Sequence, residues 1–158
     1  HIAADSLDAV LDALAAHPRV GEQPIGLMGL GEGARLVARW GGRVTARALL
    51  YPGCEDLAPA AMRGESVPLM HGTADPANAP ASCAELGRAM GAAGALVRLR
   101  IFEGATFAWD RPAFPGEGPA LLPRPNGRGL MISEAWPALA PLSATEVAAF
   151  FAASLLGR

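Results

Sequence analysis

The sequence contains no lysine, and all 13 basic residues are arginine. Against 15 acidic residues they leave a formal charge of −2, with neither sign gathered into a run. No basic stripe exists to follow a phosphate backbone, so nucleic acid is not an expected partner. Cysteine is nearly absent. Cys54 and Cys83 are too few for the disulfide framework of a small secreted domain, and they read as two unpaired thiols, which favours a cytoplasmic setting. Long apolar runs are missing too: the longest, Val147 to Leu156, is about half of the roughly 20 residues needed to cross a bilayer, so no membrane span is expected. The chain opens His1-Ile2-Ala3-Ala4-Asp5, without a basic segment leading into an apolar one, so no signal peptide is read within it, although an upstream one could have been lost.

What is present is enough for one compact domain over residues 1–158. With 51% hydrophobic and 18% charged residues, a chain of this length buries roughly 70% of its unfolded surface. Leu7, Val10, Leu11 and Leu14 recur at helical spacing between Ser6 and His17, with Asp5 or Ser6 placed to cap. A strand at 25–28, a helix at 33–40 and a strand at 46–51 follow. After a loop, the pattern continues with a strand at 68–71, a helix at 79–93 and a strand at 96–102. In that last strand apolar residues alternate with Arg98 and Arg100, which predicts one wet face near a sheet edge. Residues 112–141 are dense in Pro and Gly and predict irregular structure. Ser143 and Glu146 form a capping-box pattern opening a last helix to about Leu156. Strands alternating with helices predict an α/β, three-layer α/β/α architecture with a mostly parallel sheet.

The most informative feature is a residue that is not there. Ile25-Gly26-Leu27-Met28-Gly29-Leu30-Gly31-Glu32-Gly33-Ala34 runs as apolar strand, G-x-?-x-G, then helix, the layout that carries a nucleophile at its third motif position. That position is Gly31. Reading the motif two residues later, as Gly31-Glu32-Gly33-Ala34, imitates the G-E-S-A of carboxylesterases and again finds glycine, at Gly33. An acid follows the third strand, in His71-Gly72-Thr73-Ala74-Asp75. After the fourth strand comes Phe102-Glu103-Gly104-Ala105-Thr106-Phe107-Ala108-Trp109-Asp110.

These segments, in the order nucleophile, acid, histidine, closely resemble the dienelactone hydrolase family of α/β-hydrolases, in which G-A-x-H-A-F/W-D supplies the catalytic histidine. Leu50-Tyr51-Pro52-Gly53-Cys54 and the final helix extend the resemblance over nearly the whole chain. It implies an α/β-hydrolase fold and an ancestral ester or lactone hydrolysis through an acyl-enzyme, with no metal, no organic cofactor and a small ester or lactone as ligand. Carried over position by position, Asp75 is the surviving acid, Gly31 replaces the nucleophile, Phe107 replaces the histidine, and the Glu32 amide is one oxyanion donor. An aspartate alone orients an imidazole that is absent, so the chain is expected to be catalytically silent.

His1, His17 and His71 do not fill the gap; His71 lies beside the acid loop, where it reads as structural. Asp75 also reads as a turn residue capping the approach to Pro76. The resemblance further implies that the strands preceding the elbow strand in the family are not in this chain, which corresponds to the fold's C-terminal part. As a complete protein it would expose the elbow strand's edge to self-association or a partner chain; as a fragment, that edge would be covered. Alternatives are an active hydrolase with an unrecognised nucleophile and a non-catalytic interaction protein. A weaker alternative is dinucleotide binding, since Gly29 to Ala34 fits G-x-G-x-x-A, but the acids of the next loop, Glu55 and Asp56, fall too far along.

Overall fold

A computed structural model describes residues 4–21 and 23–157, so His1 lies outside the described residues. The elements are α1 (Ala4–Ala15), β1 (Gly26–Leu30), α2 (Glu32–Arg39), β2 (Ala46–Leu50), β3 (Ser66–Gly72), a 3-10 turn (Pro76–Asn78), α3 (Pro80–Ala92), β4 (Leu96–Phe102), β5 (Ala120–Pro123), β6 (Leu130–Ser133) and α4 (Leu139–Leu156). Since α1 begins at Ala4, Ser6 lies inside the helix and does not cap it.

Strands β1 to β4 form one sheet in chain order, every neighbouring pair parallel. Parallel strands buried on both faces need apolar residues at every position rather than alternate ones. The inner strand β2 is buried at all five residues, whereas β4 is largely exposed and is an edge, as its alternation predicts. Side chains alternate between the two faces. Leu49 and Leu69 pack with Ala34, Val37, Leu86 and Met90 of α2 and α3, while Ala48, Leu50 and Met70 pack with Leu139 and Val147 of α4. The result is helix, sheet, helix, in three layers.

Arg47 shows how a charge is accommodated in this core. Its side chain is fully buried, yet it donates to the carbonyls of Val37, Trp40 and Gly42 and to the carboxylate of Glu65. It thereby satisfies the carbonyls that end α2, and it ties that helix to the sheet. Pro68 lies inside β3, and the β2 pairing passes over residues 67 and 68, where proline has no N–H to give.

Three expectations change. Cys54 and Cys83 are joined in a disulfide, with Cα atoms 5.0 Å apart, because the loop after β2 lies against α3. The bond removes the ground on which free thiols favoured a cytoplasmic setting. Residues 112–141 are not wholly irregular: β5 and β6 pair antiparallel, from Ala120↔Ser133 to Pro123↔Leu130. Lastly, Ser143 and Glu146 are no capping box, since α4 starts four residues before Ser143, at Leu139. The Ser143 hydroxyl accepts from Trp109 Nε1 at 3.1 Å and donates to the Ala140 carbonyl, and Glu146 takes a two-pronged bond from Arg100 of β4.

Among the described residues α4 is the one helix long and apolar enough to cross a membrane by length and composition. In this fold it lies along the sheet with Leu139, Ser143 and Val147 buried. The outer edge of β1 has no partner strand among the described residues, and Met28 and Leu30 are exposed there.

Candidate active site

The chain turns sharply between β1 and α2, and Gly31 is the residue that turns it. Its φ of 53° and ψ of −118° lie where only glycine rests without strain. The turn is pinned from both sides, by Gly31 N–H donating to the Leu50 carbonyl at 3.0 Å and Arg35 N–H donating to the Gly31 carbonyl at 3.2 Å. Gly29 is required for a different reason: a Cβ there would stand 2.5 Å from the Ala34 Cα, so the strand and the helix could not approach. Gly33 is the second residue of α2 and a Cβ on it would meet open space, so the turn belongs to Gly31 and not to the later register.

A Cβ on Gly31 would point at a ring. It would stand 3.1 Å from Cζ of Phe107, with Tyr51 Cε2 at 3.9 Å. The structure thus sets Gly31 and Phe107, the two positions singled out in the sequence, beside each other. Phe107 is buried, with Tyr51 edge-on at a centroid distance of 5.1 Å and Trp109 edge-on to Tyr51 at 4.8 Å. Two non-glycine residues here have left-handed backbone, Tyr51 at φ 40° and Ala108 at φ 51°. Such strain persists only where the surroundings over-determine it. Part of what holds it is the Tyr51 hydroxyl, which donates to Asp110 at 2.6 Å. Burial, reinforced by the bond to Asp110 and that residue's charge, raises the phenol's pKa and keeps it neutral.

Asp75 is engaged in local structure. Its Oδ1 accepts from Ala77 N–H at 3.0 Å and its Oδ2 from Asn78 Nδ2 at 2.7 Å, capping the 3-10 turn. Burial raises its pKa, against the hydrogen bonds from Asn78 and Ala77, which lower it. The acid loop is stitched to the loop bearing Phe107: Ala74 N–H donates to the Ala105 carbonyl at 3.1 Å, Thr73 N–H to the Phe102 carbonyl at 3.1 Å, and Gly104 N–H to Thr73 Oγ1 at 2.8 Å. Glu32 opens α2, where first-turn amides lack intrahelical partners, and its side chain is exposed. Two histidines take no part in this arrangement. His71 is buried within β3, and His17 is exposed, accepting from Arg19 N–H. Among the described residues no group of three or more His, Cys, Asp or Glu is placed to hold a metal ion.

Sequence reasoning missed Asn78 and the Tyr51–Asp110 pair. Asn78 Oδ1 accepts from Gly53 N–H at 2.8 Å while its amide serves Asp75, so it links the loop after β2 to the acid loop. The Tyr51–Asp110 bond spans 59 residues, and no local pattern signals it. Also missed was a cleft of about 560 Å³ between α2, the loop after β2 and the β5–β6 turn, which opens beside Glu32 and Gly33.

No family model and no curated protein matches the sequence. Solved structures do. A dienelactone hydrolase-like promiscuous phosphotriesterase from metagenomic libraries matches with a TM-score of 0.65 at 19% identity, over 96% of this chain and 61% of that one. Esterase 2 of Thermogutta terrifontis, in its apo form, matches with a TM-score of 0.62 at 18% identity, over 94% of this chain and 62% of its own. The carboxylesterase of Bacillus cereus matches with a TM-score of 0.56 at 21% identity, over 71% and 54%. The chain spans less than two thirds of the length of each. Together with the parallel sheet and the glycine turn, this likeness shows that the chain has the α/β-hydrolase fold.

Proposed function

We propose that this chain keeps the frame of an ester or lactone hydrolase and does not perform acyl transfer. The observation that carries the reading is the contact between position 31 and position 107, 3.1 Å from the Gly31 Cβ position to the Phe107 ring. In a working triad an oxygen or sulfur stands at the first position and an imidazole at the second takes its proton, while the acid only orients that imidazole. Here the first has no side chain and the second has no nitrogen. Asp75, the acid position, spends both oxygens on Ala77 and Asn78. Of the side chains that meet position 31, Tyr51 alone carries a hydroxyl. That hydroxyl is a neutral phenol donating to Asp110, which makes it a poor substitute nucleophile.

The reading assigns the site a small ester or lactone as a ligand held without turnover, and it calls on no cofactor. The test is hydrolysis of p-nitrophenyl acetate and of a simple lactone by the wild-type chain, set against buffer and against Asp75→Ala. The expected outcome is a rate equal to the buffer background for both proteins. Turnover by the wild type that is lost in Asp75→Ala would overturn the proposal.

A further inference from the structure

The cleft beside the elbow carries an excess of positive charge. Its volume of about 560 Å³ falls within the range of small-molecule sites. Leu36 and Pro125 give it apolar wall, and Arg35, Arg39 and Arg128 all face into it. Four other arginines are matched by carboxylates, Arg47 by Glu65, Arg88 by Glu85, Arg100 by Glu146 and Arg111 by Glu117, and what sets the cleft apart is that three arginines gather in one concavity. The three arginines of the cleft have no such ion pair among the described residues.

Arg35 is fixed in place. Its guanidinium donates to the carbonyls of Pro52, Gly53, Glu55 and Asp56, so it forms a positive floor whose position the loop after β2 dictates. Arg39 makes one long contact, 3.4 Å to the Asp56 carbonyl, and the Arg128 side chain makes no hydrogen bond with a described residue. Burial, with the charges of Arg39 and Arg128 and against that of Asp56, lowers the Arg35 pKa. The carboxylates of Glu32 and Asp56 also line it, which leaves one net positive charge for a ligand to neutralise. Two of these cations, Arg39 and Arg128, are exposed and lack a carboxylate partner among the described residues, and the guanidinium fork matches an oxyanion in two-pronged fashion.

We propose that this cleft binds a small organic anion, a carboxylate or phosphate carried on an apolar body, with Arg39 and Arg128 grasping the anion above Arg35. The site does not depend on whether the elbow turns over an ester. The experiment is a calorimetric titration of the wild-type chain with inorganic phosphate, phenyl phosphate and benzoate at low salt, repeated with Arg39→Gln and Arg128→Gln. Saturable binding of at least one probe with one site per chain is expected, weakened about tenfold in each variant and by added salt, with melting temperatures unchanged. Preference for phenyl phosphate over benzoate assigns the phosphate, and the reverse assigns the carboxylate. Absence of saturable binding for all three probes at millimolar concentration overturns the proposal, as does equal affinity in the wild type and both variants.

Discussion

Placing a methyl group on Gly31 tests the geometry on which the site rests. At φ 53° and ψ −118° any residue with a Cβ meets backbone strain, on the order of 1–3 kcal/mol for a sparsely populated conformation. A second cost comes from Phe107, whose Cζ would lie 3.1 Å from the new Cβ. The ring has little room to retreat, since it is 7% exposed and Tyr51 stands edge-on against it. Gly31→Ala should therefore destabilise the fold by about 2–4 kcal/mol, combining the strain with a modest overpacking term. Phe107→His exchanges the six-membered ring for a shorter one that has no Cζ, at a cost of about 1–2 kcal/mol in lost apolar burial. The double variant should then lose less than the sum of the singles, by about 0.5–1.5 kcal/mol, because the clash has been removed while the strain remains.

Urea unfolding of the four proteins measures this cycle, provided that the denaturant slope m is the same in all. Additivity within about 0.5 kcal/mol would refute the contact between positions 31 and 107. The sign of the single variant is equally decisive. Where the backbone tolerates it, Gly→Ala stabilises by about 0.4–1 kcal/mol through the unfolded chain. A neutral or stabilising Gly31→Ala would mean that the turn does not have its left-handed conformation.

Two further outcomes follow from buried groups. The Cys54–Cys83 bond closes a span of 29 residues, so Cys54→Ser/Cys83→Ser should lower stability by about 3 kcal/mol on the loop-entropy model, read as a fall in the urea midpoint; two titratable thiols in the unfolded wild type without reductant would exclude the bond. Burial lowers the pKa of His71, whereas the unfolded chain titrates near about 6.5, so between those values the unfolded state binds the proton and the folded state does not. Stability should then fall as pH drops below about 6.5, and His71→Asn should remove that part of the slope in urea midpoints; an unchanged slope defeats the assignment. Asp75 acts in the opposite sense, since its raised pKa favours the folded state as pH falls through its own window, so the comparison with the variant carries the test.

The parts of the fold that were legible in the sequence are those written in local chemistry. The alternation of strands and helices announces a mostly parallel sheet, and the mixed β4 announces an edge. The misreadings share one cause, which is that the deciding partner is distant in sequence. Ser143 and Glu146 carry the right types at the right spacing for a cap, but Trp109 and Arg100 claim them instead. The β5–β6 hairpin is hidden by the Pro and Gly residues around it. Its inward positions, Leu122, Met131 and Ser133, fall in strands of only four residues, too short for alternation to stand out. Cys54 and Cys83 look like stray thiols until a loop and a helix meet.

Backbone strain and packing set which residues positions 31 and 107 can hold. A side chain at position 31 has to be held at positive φ by its surroundings, and glycine holds that conformation without cost. A buried imidazole needs partners for two nitrogens, and Phe107 needs none, joining instead the ring cluster of Tyr51, Trp109 and Phe102. Glycine at position 31 and an apolar ring at position 107 thus both suit an ordinary packed core. Tyr51 and Ala108 hold left-handed backbone, at about 1–3 kcal/mol each, beside this packed cluster. The Tyr51–Asp110 hydrogen bond and the stitching of residues 73 and 74 to 102, 104 and 105 hold these loops together. A Cβ at position 31 would stand 3.1 Å from the Phe107 ring, so any side chain placed there has to share the space of this packed ring cluster.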